Sequence, residues 1–192
     1  MKKIYIKNLE LLRKKIDLYK ETSSSNINKL LAVRRKLQKK ETMRSKLCSI
    51  EKLKQWKFID GKIKHSSNQF FTVQGVQVKN AKREVANWEQ VILNQPHGGV
   101  LALLVRETKK NGIEFLLHLR SEPGDKDIKF CPTFSATQSN MNQAHGGKKP
   151  DLFDIFIKQK GSKIIAKSSH NEEGARFWQK KNENWLIFLK DP

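Results

Sequence analysis

The chain has 192 residues and a formal net charge of +20, from 39 Lys+Arg against 19 Asp+Glu. That length accommodates one domain with its own core plus an appendage, and excludes two full domains. The charge is uneven: residues 1–64 hold 20 Lys+Arg against 6 Asp+Glu, and lysine outnumbers arginine 31 to 8. A lysine-rich bias therefore accounts for the balance before nucleic-acid binding does, since planar recognition of phosphates and bases favours arginine. Cys48 and Cys131 stand far apart without CxxC or metal-ligand spacing, so neither a disulfide framework nor a zinc site is expected, and a reducing cytoplasm fits. Lys7, Glu10 and Arg13 interrupt the apolar start before it reads as a signal peptide. No stretch approaches the roughly 20 apolar residues of a membrane span.

In chain order, Ile4, Leu9, Leu12, Ile16 and Tyr19 make one apolar stripe of a helix over residues 2–20. The serine-rich turn 21–26 ends it and caps a second helix, 26–47, with Ile27, Leu30, Leu31, Leu37 and Leu47 inward. A basic helical hairpin results, whose stripes must cover either the domain behind or the same hairpin of a second subunit. Asp60-Gly61 marks a turn, and residues 70–78 alternate as a half-buried strand where the core is expected to begin. Residues 82–93 fit helix and strand alike. Residues 98–107 and 113–122 form a hairpin about Asn111-Gly112, a pair suited to positive φ. A turn at 122–127 leads to a strand, 128–134, in which Pro132 demands an edge or a break in the ladder. A short helix over 151–159 with Asp151 in its first turn, a strand at 162–167, a helix at 171–181 opened by Asn171, and a last strand at 182–189 complete the chain.

Five histidines show neither an i, i+4 pair nor an HExxH pattern, so no histidine-built metal site is expected. His118, inside an apolar strand, reads as a core residue. His145, in a Gly-rich loop after hydroxyl and amide residues, suits either an ordinary turn or acid-base chemistry near neutral pH. Thr133, Ser135, Thr137, Ser139 and Asn140 present polar groups for phosphate or sugar oxygens, or simply a polar strand edge. Glu122 stands at the mouth of a Pro-Gly turn beside them. Glu172 and Glu173 precede Arg176 at the spacing of a surface ion pair.

The blocks HSSNQFFTVQGVQV, REVANWEQ, SEPGDKD, CPTFSATQSN followed by HGG, and NEEGARFWQKKNENW occur in this order between about Leu47 and Leu189. Together they resemble the NDP-hexose 2,3-dehydratase family. The resemblance implies an α+β fold, a Nudix-like mixed β-sheet flanked by helices, as module 49–192; the basic helical hairpin read from its stripes, 1–48, precedes that module and offers a dimerisation element. It also implies a lyase acting on a dTDP-4-keto-6-deoxyhexose and eliminating the C2 hydroxyl, with no cofactor and no metal. Under that chemistry His145 and Glu122 are the acid-base pair, in unassigned order. Thr133, Thr137, Ser139 and Asn140 contact the sugar diphosphate, Arg83 and Arg176 bring positive charge to the phosphates, and Trp88 offers a face to thymine or else packs in the core.

The sequence departs from the family pattern in several ways. It has one module where two in tandem are usual, which a homodimer would rebuild. Met141 stands where tyrosine is usual, His170-Asn171 where Gln-Ser is, and Val91 where proline is. A Nudix hydrolase would need glutamates where Asn87 and Trp88 follow Arg83-Glu84, so pyrophosphate hydrolysis is disfavoured. The alternative readings are a non-catalytic nucleotide-sugar-binding module or half of a heteromeric dehydratase, and nucleic-acid binding through the hairpin.

Overall fold

A computed structural model describes residues 2–18, 24–79, 82, 84–109 and 111–189. Its architecture is α+β. Helices α1 (Lys2–Leu18) and α2 (Ser24–Gln38) precede strands β1 (Trp56–Ile59), β2 (Lys62–His65), β3 (Thr72–Lys79) and β4 (Asn87–Asn94), which form an antiparallel meander. The second sheet is built on β5 (Gly99–Thr108), whose neighbours are β6 (Gly112–Leu116), β9 (Phe134–Thr137) and β11 (Lys181–Leu189), with β10 (Ser162–Asn171) outside β11. A ribbon of β7 (His118–Arg120) and β8 (Lys129–Cys131) and two short helices, α3 (Gln138–Met141) and α4 (Phe153–Phe156), complete the domain.

β5 is central because its residues alternate between two buried faces, as a strand covered on both sides requires. Val100, Ala102 and Leu104 face Phe134, Ala136, Phe156 and Ile187, with Phe153 and Met141 against them. Phe134 and Phe156 stack at 5.0 Å, and burying rings of that size contributes about 1.5–3 kcal/mol each. Val105 faces the other way and packs with Ile165 and with Leu12 and Ile16 of α1. α1 thus covers one face of the sheet and α4 the other.

One edge of β5 is shared by two strands. β11 runs parallel along one edge, while β9 pairs with residues 99–102 and β6 with residues 104–108 on the other. At the junction Thr133, only 5% exposed, accepts from the Leu104 N–H at 2.9 Å and donates to the Leu116 carbonyl. Its hydroxyl therefore replaces the ladder bonds that the strand change removes. Pro132 falls between β8 and β9, the break its missing donor requires. The expected turns also form: Asp60 and Gly61 have φ of 53° and 71°, and Gly112 has φ of 67°.

Four expectations need correction. α2 ends at Gln38 rather than 47, and Leu47 is 98% exposed, because Glu41 folds the chain by accepting from the Met43 N–H at 2.7 Å. Strand structure begins at Trp56, ahead of the stretch 70–78, and of the ambiguous stretch 82–93 the part from Asn87 onward lies in β4. Residues 172–179 are not helical: Leu93 of β4 donates to the Arg176 carbonyl and accepts from the Trp178 N–H, so the segment's backbone serves the neighbouring sheet. α4 starts after Leu152, with Asp154 rather than Asp151 in its first turn. The link between α1 and α2, residues 19–23 with Tyr19, lies outside the described residues.

Candidate functional site

A cleft of about 220 Å³ opens between β7, β9 and the loop after α3, lined by His118, Arg120, Ser135, Asn140, His145 and Lys148. Each side chain arrives there for a local reason. β7 alternates, so His118 and Arg120 share a face while Leu119 takes the other. In β9 Phe134 and Ala136 are buried in the core, leaving Ser135 and Thr137 on the opposite face. Thr137 then ends the strand as the N-cap of α3, its Oγ1 accepting from the Asn140 N–H at 3.3 Å and sharing a hydrogen bond with Ser139 Oγ at 2.9 Å. The hydroxyl run therefore does not continue along one strand face to Ser139, and Asn140 reaches the cleft from the helix.

His145 sits in a turn that the two glycines make possible. Gly146 has φ of 70°, a conformation costly for other residues. Gly147 donates its N–H to His145 Nδ1 at 2.8 Å. A Cβ on Gly147 would lie 2.6 Å from that Nδ1, so only glycine leaves the ring where it is. Because Nδ1 accepts, the neutral ring carries its proton on Nε2, and in this pose the imidazole offers a donor.

The other expected residues are dispersed. Glu122 lies in a neighbouring polar cleft of about 600 Å³ with Glu41, Arg44 and Ser121, and reaches the His145 cleft only through its 2.6 Å ion pair with Arg120 Nη2. Thr133 lines the His145 cleft, but its hydroxyl is committed to the backbone. Ser139 opens instead on a cleft of about 430 Å³ with His97, Gln138 and Asn142.

Trp88 lines a separate hollow of about 850 Å³ with Lys180, Glu172 and Phe177, and its Nε1 donates to Gln90 at 2.9 Å. Arg176 makes the exposed ion pair with Glu173 that its spacing implies, at 3.4 Å with its side chain 73% exposed. Arg83 lies outside the described residues. His118 is a correction: it is exposed rather than in the core, because β7 leaves the main sheet and pairs only with β8.

Sequence reasoning missed Arg120 and Lys148. A signal for Arg120 existed: His118, Arg120 and Glu122 alternate as the apolar run ends. Among the described residues no three His, Cys, Asp or Glu gather as for a metal ion, and no helix is long and apolar enough to cross a membrane. Both cysteines are free thiols.

Two imidazoles, two cations, an amide, a hydroxyl and the Asp151 carboxylate line one small opening, a chemistry suited to a polar small molecule and to proton transfer beside it. Residues 27–192 match the family described as NDP-hexose 2,3-dehydratase, and the chain belongs to that family. It is 31% identical over 144 residues to a dTDP-4-dehydro-6-deoxy-α-D-glucopyranose 2,3-dehydratase of Saccharopolyspora spinosa, covering 73% of this chain and 29% of that protein. A like-named protein of Amycolatopsis orientalis is 31% identical over 147 residues, covering 72% of this chain and 31% of the relative. One of Streptomyces violaceoruber is 29% identical over 130 residues, covering 66% and 29% respectively. The chain thus spans about three-tenths of the length of the curated relatives it matches.

Proposed function

We propose that this chain is a sugar-nucleotide 2,3-dehydratase module acting in the cytoplasm on a dTDP-4-keto-6-deoxyhexose. The observation that carries the reading is the pairing of His145 with His118, Asn140 and two cations around one cleft, together with the activity for which the relatives are named. A ketone at C4 acidifies the C3 hydrogen. A base removes it, donors hold the enolate, and an acid protonates the departing C2 hydroxyl, which leaves as water. The resulting enol tautomerises to the 3,4-diketo sugar. The elimination is redox-neutral and needs only a base, an acid and enolate donors, each donor worth on the order of 100-fold in rate.

His145, carrying its proton on Nε2, donates a hydrogen bond to the leaving hydroxyl, and the imidazolium formed when His118 takes the C3 proton delivers that proton to it. His118, exposed in the same cleft, takes the C3 proton; the ion pair between Glu122 and Arg120 argues for this assignment over Glu122. Asn140 donates to the enolate oxygen. A sugar nucleotide needs more room than about 220 Å³, since such ligands occupy roughly 300–1,000 Å³, and we assign the remainder to the cleft of about 430 Å³ at Ser139 and Gln138, which precede Asn140 in the chain. The expected outcome is that H145A, folded by circular dichroism, consumes the 4-keto sugar nucleotide at least about 100-fold more slowly. Unchanged turnover would remove His145 from the mechanism.

A second reading, favoured by the chain's spanning three-tenths of its relatives, is a nucleotide-sugar-binding module or one half of a heteromeric dehydratase. Binding of dTDP without sugar consumption at high protein concentration selects it. With either reading we propose self-association, because the α2 residues Ile27, Leu30, Leu31 and Leu37 are 38–57% exposed and a second copy would cover them.

A further inference from the structure

We infer that Arg120 is the residue that takes phosphate oxygens of the ligand at the His145 cleft, and that Glu122 is its positioning residue. The ligand's identity as a sugar nucleotide rests on the proposed function; the anion site rests on the side chain itself. A guanidinium presents five N–H donors in a rigid fork and has no acceptor, so each buried N–H needs an oxygen. Glu122 Oε1 accepts from Nη2 at 2.6 Å. Nε is buried and makes no hydrogen bond, although the same residue lines the cleft. A buried charged donor without an acceptor is among the costlier arrangements in a protein, and since Nε is covered as it stands, the side chain must shift toward the cleft for an incoming oxyanion to remove that cost.

The surroundings agree with a phosphate. Lys148 adds a second cation at the cleft beside the Arg120–Glu122 pair, and among the described residues Asp151 is the carboxylate that lines it. Asn140 and Ser135 supply neutral donors beside it. The Glu122 ion pair holds one arm of the fork and so restrains the guanidinium. Glu122 thereby acts on the ligand through Arg120. Ser121, between them, donates to Glu41 at 2.6 Å, so the backbone carrying both groups is anchored to the chain after α2.

The test titrates inorganic pyrophosphate, and separately dTDP, into the full chain by calorimetry. For R120K, with thermal unfolding and circular dichroism unchanged, the Kd for both rises tenfold or more. E122Q raises both severalfold in the native background but leaves R120K unchanged, a non-additivity that a merely structural role for Glu122 would not produce. Wild-type protein that binds neither probe, or R120K that binds both with native affinity, overturns the inference. A weakened dTDP titration with an unaffected pyrophosphate titration also overturns it, since the contact would then lie on the nucleoside. Sugar-nucleotide turnover is measured in parallel: no turnover with R120-dependent pyrophosphate binding sinks the dehydratase reading and leaves the anion site standing, while full turnover with R120-independent binding does the reverse.

Discussion

Gly147 shows how one residue without a side chain can determine what a catalytic candidate does. Its N–H holds His145 Nδ1 at 2.8 Å, and a Cβ there would lie 2.6 Å from the same nitrogen and 2.8 Å from Cε1. Since the atoms in the way belong to an exposed ring, G147A displaces the imidazole rather than unfolding the chain. Stability should change by no more than about 0.5 kcal/mol, while turnover of the 4-keto sugar nucleotide falls toward that of H145A. A G147A protein with native turnover would show that the pose of His145 is immaterial. His-Gly-Gly was legible in the sequence as a turn bearing a histidine. The N–H contact that selects the tautomer was not, because it depends on the turn's geometry. Met141, where the family usually has tyrosine, packs against the core cluster with Phe153 and Ile155, so at that position this chain supplies apolar packing.

At the scale of elements, the strands were legible wherever local pattern and tertiary demand agreed. β5 and β11 are apolar runs bounded by turn residues and form as read, whereas the strand read over 113–122 divides into β6, which ends at Leu116, and β7, which pairs with β8. The misreadings lie where a distant partner captures a segment. Residues 171–181 carry a helical pattern, but Glu172 is drawn to Lys180 and Asn182, and the backbone at 176 and 178 bonds Leu93. Tertiary hydrogen bonds override propensity there.

α2 stops early for a related reason. The last turns of α2 are tied to the body by Gln38 accepting from the Ile128 N–H at 2.6 Å and Arg34 donating to the Ile128 carbonyl at 2.7 Å. Glu41 makes the third tie. The hydrogen bond from Ser121, then that from the Met43 N–H, holds its carboxyl below the ordinary value of 4.5. A folded-state value below the unfolded one means that the tie contributes fully above pH 4.5 and is lost as pH falls through the lowered value. The Met43 amide resonance should therefore titrate with a midpoint below 4.5 and stop titrating in that range in E41Q. A midpoint at or above the ordinary glutamate value would contradict the tie.

For the whole molecule, the +20 charge and the exposed apolar residues of α2 pull the N-terminal third toward different partners. Composition alone left self-association and nucleic-acid binding both open, since it counts charges without locating apolar surface. The structure adds that Leu12 and Ile16 of α1 are occupied against Val105 and Ile165, whereas Ile27, Leu30, Leu31 and Leu37 of α2 are exposed. Their exposure is 57% at Ile27, 44% at Leu30, 38% at Leu31 and 39% at Leu37, while Arg34 and Gln38 of the same helix dock on Ile128.

The two associations respond to salt in opposite directions. Two copies meeting through an apolar stripe must overcome repulsion between basic helices, and the Debye length shrinks from about 10 Å at 0.1 M to about 3 Å at 1 M salt, so added salt strengthens their contact. Lysine contacts to phosphates release counterions, so added salt weakens them steeply. Light scattering at 50 and 500 mM salt should therefore give a mass that rises with salt above the 22.3 kDa of one chain, and L31E should return it to one chain. A monomer at both concentrations, combined with DNA or RNA binding that disappears between them, would transfer the basic helices from self-association to nucleic acid.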